Sequence, residues 1–308
     1  MRRALTIAAA LAVVALTVRA AVGMAPGLDY FADASASIDA LVRGDLDGFF
    51  ASQPLMGSFS LLVRAPFVAA VFDGRLEDVY FAGAIPCLVA ALALGIALGR
   101  IAADAGQPAS VQGLIAGLAV VNPITFRALH WGHPEELLAG ALCVGAVLAA
   151  VRDRQLLAGL LLGLALATKQ WALIAVLPAL LATSTRRMAL LGIAAAVAAA
   201  LTLPALIANL GGFEQVARSA AGHNSLGAST TPENLWWPLA DRVEVTIVGE
   251  RYMAPAWVGT VAHPLIVLAP IPLAALLWLR PGRRRDDALG LLTLCLLLRC
   301  LLDQWNND

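Results

Sequence analysis

This chain is short of charge. Only 14% of its 308 residues are charged, its net charge is zero, and no basic or acidic excess points to a nucleic-acid partner. Cysteine is scarce as well. Cys87, Cys143, Cys295 and Cys300 all lie in apolar segments without metal-ligand spacing, so they are expected to be buried, inert thiols. What fills the sequence instead is apolar: 60% of residues are hydrophobic and the mean hydropathy is +0.80. Soluble domains do not have this composition, and repeated apolar runs of about 18 residues or more mean transmembrane helices.

With so few charges, their placement carries the information. The run Leu156 to Ser184, LLAGLLLGLALATKQWALIAVLPALLATS, is interrupted once, by Lys169. Arg152 and Arg154 precede it; Arg186 and Arg187 follow it. Short basic loops mark the cytoplasmic side of a membrane protein, so a run closed by basic pairs at both ends goes up and comes back. Each limb has about 14 residues, roughly 21 Å at about 1.5 Å per residue, short of a hydrocarbon core of about 30 Å. Lys169 is thereby placed at a recessed hairpin tip, where an ammonium needs a watery cavity or an anion. A single tilted helix with a tolerated lysine is the alternative, and it strands one arginine pair on the far side.

The rest of the chain fits the same frame. MRR and the apolar run behind it read as an uncleaved first helix entering from the cytoplasm, with a cleaved signal peptide as the alternative. Residues 26–78 carry eight acids against three bases, a poor cytoplasmic loop, and form a long first extracytoplasmic loop. Asp29, Asp33 and Ser37 share one face if DYFADASASIDALVRG is helical, with Gly44 as the stop. SFSLLVRAPFVAAVF suits an interfacial segment. Spans are expected over residues 79–103, 188–210 and 259–279, with a last apolar run over 288–302.

Residues 108–151 repeat the hairpin logic, broken by NPITFRALHWGHPEE. Asn122-Pro123 and His133-Pro134 are breakers. Pro134 suits the first position of the returning helix, and Glu135 and Glu136 its positive N-terminal end. Arg2, Arg3, Arg100, the two flanking pairs, Arg280 and Arg283 to Arg285 then account for eleven of the 21 basic residues on the cytoplasmic side.

This topology gathers the unusual polar groups on one face. Asp29 and Asp33 are candidate general bases or solvated loop acids. Lys169 is the best single candidate, an intramembrane charge suited to a phosphate. Arg299 snorkels or joins that anion site. His133 orients a loop or a substrate hydroxyl. His130, His133 and Glu136 have a ligand-like spacing but lack a convincing further ligand, so no metal or other cofactor is assigned. Trp236 and Trp237 fit an interfacial belt or a sugar-stacking pair.

Taken in order, DYFADASASIDALVRGD with RAPF, NPITFRALHWGHPEELLAG, AGLLLGLALATKQWA, the WWPL loop and RCLLDQWNND resemble the C-type integral-membrane glycosyltransferases. The similarity is to the bacterial polyprenyl-phosphate-mannose-type transferases and their relatives. It implies an all-α, polytopic transmembrane helix bundle with a long first extracytoplasmic loop and short paired helices, a single domain over 1–308. It further implies inverting transfer of a mannose-like sugar from a polyprenyl-phosphate donor to a lipid or glycan acceptor hydroxyl, at the extracytoplasmic face of the cytoplasmic membrane. Asp29, with Asp33 as runner-up, matches the family's base. Lys169 matches the lysine that contacts donor phosphate, and His133 and Glu136 line the sugar or acceptor site. Relatives continue past a DxWN segment with further helices, whereas this chain stops at Asp308, so a truncated reading frame is one expectation. A transporter or flippase for a lipid or small anion is the competing class.

Overall fold

A computed structural model describes residues 2–22, 28–52, 57–71, 74–212, 214, 228–230, 232, 234–245, 249–280 and 284–303. The architecture is an all-α bundle with one small sheet. Among the described residues, five helical stretches are long and apolar enough to cross a bilayer: Leu76–Asp104, Ala109–Trp131, Pro134–Val151, Arg187–Ala208 and Ala256–Leu279. The chain is a multi-pass membrane protein. Its contacts divide it into two compact units, Met1–Gly145 with Leu161–Ala172 and Ala194–Asn209, and Ala146–Leu160 with Leu173–Ile193 and Leu210–Asp308.

In the first unit, α1 (Arg2–Val22) packs on α6 (Leu76–Asp104) and α8 (Pro123–Trp131). Between α1 and α6 the acidic loop folds into short helices: α2 (Leu28–Asp33), α3 (Ser35–Val42), α4 (Leu46–Ala51) and α5 (Ser58–Ala69). The expected stop at Gly44 is present, with φ of 74°. The expected continuous acidic face is interrupted: the chain turns at Ala34, and Ser37 is buried against Ser52 with its hydroxyl 2.6 Å away. Asp45 caps α4 by accepting from the Gly48 amide at 2.9 Å. Apolar groups anchor these helices. Tyr30, Ile38, Phe49 and Leu61 share one core with Val14, Val18, Tyr80 and Leu88. The segment expected at the interface is α5, whose Leu61, Arg64 and Val68 are buried.

The second expected hairpin is built from α7 (Ala109–Leu118), α8 and α9 (Pro134–Val151). Asn122 caps α8, its side chain accepting from the Thr125 amide at 2.8 Å, with Pro123 in the first turn. Gly132, at φ of 92°, ends α8 in the left-handed conformation, and Pro134 opens α9. The sequence breakers thus act where they stand.

The run carrying Lys169 breaks at that lysine. α10 (Gln155–Thr168) ends there, a 3-10 segment covers Gln170–Ala175, and α11 (Val176–Ala182) completes the run. Its two ends lie side by side in the second unit. Ser184 donates to Asp153 at 2.9 Å and Gln155 to Thr185 at 3.3 Å. The run is a hairpin, and both arginine pairs sit at its base. α10 reaches α12 (Arg187–Ala208) through Gly159 and Gly163; a Cβ on either would meet a carbonyl oxygen of α12, of Leu190 or Ala194, at 2.7 Å. Spacing of four between small residues is the close-approach pattern of membrane helices.

The second unit also contains α13 (Ala256–Leu268), α14 (Pro270–Leu279) and α15 (Arg284–Leu302). α11, α13 and α14 pack on α15. Ahead of α13 lies an antiparallel sheet, order β1-β3-β2, from β1 (Ala228–Thr230), β2 (Asp241–Val245) and β3 (Gly249–Ala254). Nothing in the sequence expectation foresaw these strands, because they fall in a loop with no long apolar period. Cys87, Cys143 and Cys295 are buried as expected, but Cys300 is exposed.

Candidate active site

The first turn of α9 and the break after α10 meet in the first unit. α9 starts at Pro134, so Glu135 and Glu136 occupy the positive end of its dipole. The α10 break delivers Lys169 to them. Its ammonium lies 3.0 Å from Glu135 Oε1 and 3.2 Å from Glu136 Oε1. His133 Nδ1 donates to the same Glu135 oxygen at 3.0 Å, and the Trp171 indole donates to Glu136 Oε2 at 2.9 Å. Arg64, from α5, reaches Glu135 Oε2 at 3.6 Å.

Charge balances here by count: two carboxylates face one ammonium, one guanidinium and an imidazole. Such balance is what makes burial tolerable, since a buried carboxylate without partners costs several kcal/mol or gives up its charge. Burial is unequal across the cluster. Arg64 and Glu135 are fully buried, whereas the side chains of Lys169 and Glu136 keep 17% and 16% of their exposure. Two of the three ammonium donors of Lys169 therefore serve carboxylates while the group stays partly accessible.

The acidic loop is tied to this cluster by its own residues. The Arg64 guanidinium stacks over the Tyr30 ring of α2 at 5.0 Å, and Tyr30 packs on Tyr80, whose hydroxyl donates to the Leu129 carbonyl. Burial pushes the Tyr30 phenol above its ordinary value against the opposing pull of Arg64, so the ring stays neutral. Gly57, at φ of 75°, sits where a Cβ would come within 2.2 Å of the Thr168 carbonyl oxygen. The entry to α5 is therefore pressed against the residue before Lys169.

Of the sequence candidates, His133, Glu136 and Lys169 come together. Asp33 is half-buried at the end of α2, three residues from Tyr30. Asp29 is in the same helix, but its side chain lies outside the described residues. His130 stands apart from His133, its ring edge-on to Trp131 and its Nδ1 buried without a hydrogen-bond partner.

The remaining candidates belong to the second unit. Trp236 is buried, and its indole donates to the Leu302 carbonyl at 2.7 Å. Asn234 donates to the Asp303 carbonyl at 2.7 Å and accepts from the Trp236 amide at 2.9 Å; the Leu235 amide bonds the Leu301 carbonyl at 2.8 Å. The WWPL loop thus satisfies the last carbonyls of α15. Trp237 is half-buried, its ring 4.2 Å from that of Tyr252. Arg299 lies 3.8 Å and His263 3.6 Å from the Asp303 carboxylate.

Three cluster members escaped sequence reasoning as site residues: Arg64, Glu135 and Trp171. An isolated arginine in an otherwise apolar α5 was the available signal for the first. A second signal strengthens Lys169 itself, because it is the only lysine in the chain; the other 20 basic residues are arginine.

Short paired membrane helices that turn back at a buried ion cluster, below a folded first loop, give this chain the layout of the C-type integral-membrane glycosyltransferases. It belongs to glycosyltransferase family 87, whose family profile matches residues 57–302. That match takes in Arg64, His133, Glu135, Glu136, Lys169, Trp236, Trp237 and Arg299; Asp29 and Asp33 precede it. No curated protein and no solved structure matches the chain.

Proposed function

We propose that this glycosyltransferase moves a mannose-like sugar from a polyprenyl-phosphate donor to a hydroxyl of a lipid or glycan acceptor. The chain works as one transmembrane domain in the cytoplasmic membrane, with its N-terminus inside and the Lys169 cluster facing the extracytoplasmic side. The observation that carries the proposal is the partly accessible Lys169 ammonium at a hairpin tip inside a family of sugar transferases. Its third donor is left for an anionic oxygen, and a lipid-linked phosphate is the anion that a membrane-embedded transferase meets.

In this reaction a first-loop aspartate, Asp29 or Asp33, takes the proton of the acceptor hydroxyl. The acceptor oxygen bonds to the anomeric carbon from the face opposite the phosphate, and the bond from that carbon to the phosphate oxygen breaks with inversion. Polyprenyl phosphate leaves with the electron pair, and Lys169 stabilises the charge that develops on it. His133 and Glu136 bind sugar or acceptor hydroxyls. No metal or other cofactor is assigned to the step.

The test supplies the purified chain in nanodiscs with radiolabelled polyprenyl-phosphate mannose and a lipid-extract acceptor. Labelled product is expected, with losses of about 10²-fold or more in Lys169→Ala and in whichever of Asp29→Asn and Asp33→Asn removes the base. Undiminished transfer in all three variants overturns the assignment. A chain that makes no product but moves labelled lipid across vesicles is a flippase instead.

A further inference from the structure

The cluster contains one acid that the proposed reaction does not use. Glu135 is fully buried, so it reaches neither acceptor nor donor, and yet it meets a cation on each edge: Lys169 within hydrogen-bond reach of Oε1 at 3.0 Å, and Arg64 beyond that reach from Oε2 at 3.6 Å. Oε1 faces the ammonium of Lys169 and the His133 ring; Oε2 faces Arg64. These partners come from different parts of the chain. Lys169 belongs to the hairpin tip, His133 to the turn before α9, and Arg64 to the folded first loop. Arg64 in turn lies over Tyr30, within the same short helix as Asp29 and Asp33.

We infer that Glu135, with Arg64, is a positioning residue that fixes Lys169 relative to the aspartate-bearing helix of the first loop. The inference rests on the proposed transfer reaction, but its physical content is independent of it. A carboxylate that receives cations on both edges acts as a strut: displacing either cation unbalances the other. Three features agree with a strut and not with a general packing role. The carboxylate is charged where an apolar side chain would cost less, its two edges serve two segments, and the tight Gly57 contact presses the first loop onto the tip beside it. A transferase that must hold donor phosphate and acceptor base at one separation gains from such a strut, because a misplacement of about 1 Å costs on the order of 10²-fold in rate.

The unique lysine supplies a readout that needs no activity. In this chain an amine-acylating reagent has only Lys169 and the α-amine to modify, and peptide mass spectrometry separates the two from each other and from the amines of the nanodisc scaffold. In Glu135→Gln, the acylation rate of Lys169 at fixed pH is expected to rise at least threefold over wild type, while Asp104→Asn, an exposed control, leaves it unchanged. In the transfer assay Glu135→Gln is expected to lower kcat by about 10²-fold, more than it raises the acceptor KM, with Glu135→Asp recovering part of the loss. Arg64→Gln, which removes that cation without adding a second amine to the chain, is expected to fall between.

Rates are taken per folded molecule, from the monodisperse fraction, so a loss of yield does not count. Where Glu135→Gln yields no folded fraction, Glu135→Asp and Arg64→Gln carry the measurement. A folded Glu135 variant with wild-type acylation of Lys169 overturns the strut, and so does one with wild-type kcat. If the unmodified chain transfers no sugar, the transfer proposal fails by itself, and acylation alone decides whether Glu135 positions Lys169.

Discussion

Arg64 shows how much a single side chain carries here. It is fully buried, and it holds one edge of an equally buried carboxylate while covering a tyrosine ring. Removing one member of such a pair is expected to cost about 3 kcal/mol, because the remaining charge stays where water cannot reach it. Arg64→Met is thus predicted to lower the thermal midpoint in detergent clearly. Combining it with Glu135→Gln should cost less than the sum of the two, since the double variant leaves no orphaned charge on that edge. Strict additivity across that cycle would show that the pair does not interact. Trp236→Phe should cost less, about 1 kcal/mol, the net worth of one hydrogen bond to the Leu302 carbonyl. Sequence alone singled out Lys169 because a lone cation in an apolar run is conspicuous. It passed over Arg64 and Glu135 because one arginine in an interfacial segment and an acid at a helix N-terminus each have a sufficient local explanation until their partners are known.

At the scale of elements, the breakers were the legible part. Pro123, Gly132 and Pro134 stop and start helices because a missing amide or a left-handed turn leaves the chain few choices, and these needs are local. The hairpin at Lys169 was legible from its flanking arginines. What was not legible is the interior of the acidic loop. Its short helices α2 to α5 are fixed by Tyr30, Ile38, Phe49 and Leu61 packing on α1 and α6, contacts far apart in sequence with no period of their own. The strands β1 to β3 were missed for the same reason. Gly57 is the element-scale test. Gly57→Ala adds a methyl 2.2 Å from the Thr168 carbonyl oxygen at a φ of 75°, so the entry of α5 must move off the hairpin. Loss of transfer is expected to accompany it even where the chain still inserts, whereas Gly44→Ala, also left-handed but with open space around it, should lower stability modestly and spare activity. Equal losses from both substitutions would mean that backbone strain, not the contact at Thr168, is what matters.

For the whole molecule, the decisive prediction is sidedness. Residues 153 and 185 lie at one end of the hairpin, so single cysteines there should react with a membrane-impermeant maleimide from the same side of sealed vesicles. Reaction from opposite sides would make the run a single crossing and dismantle the tip on which the proposed chemistry depends. The order of synthesis adds something that geometry alone does not state. Asn234 finds its acceptor at Asp303, 69 residues downstream. At about 5–20 residues per second, the ribosome delivers that loop on the order of 3–14 s before the helix end that will hold it. Until then Trp236 waits without the Leu302 carbonyl that holds its indole, and this part of the second unit is complete only when α15 has emerged.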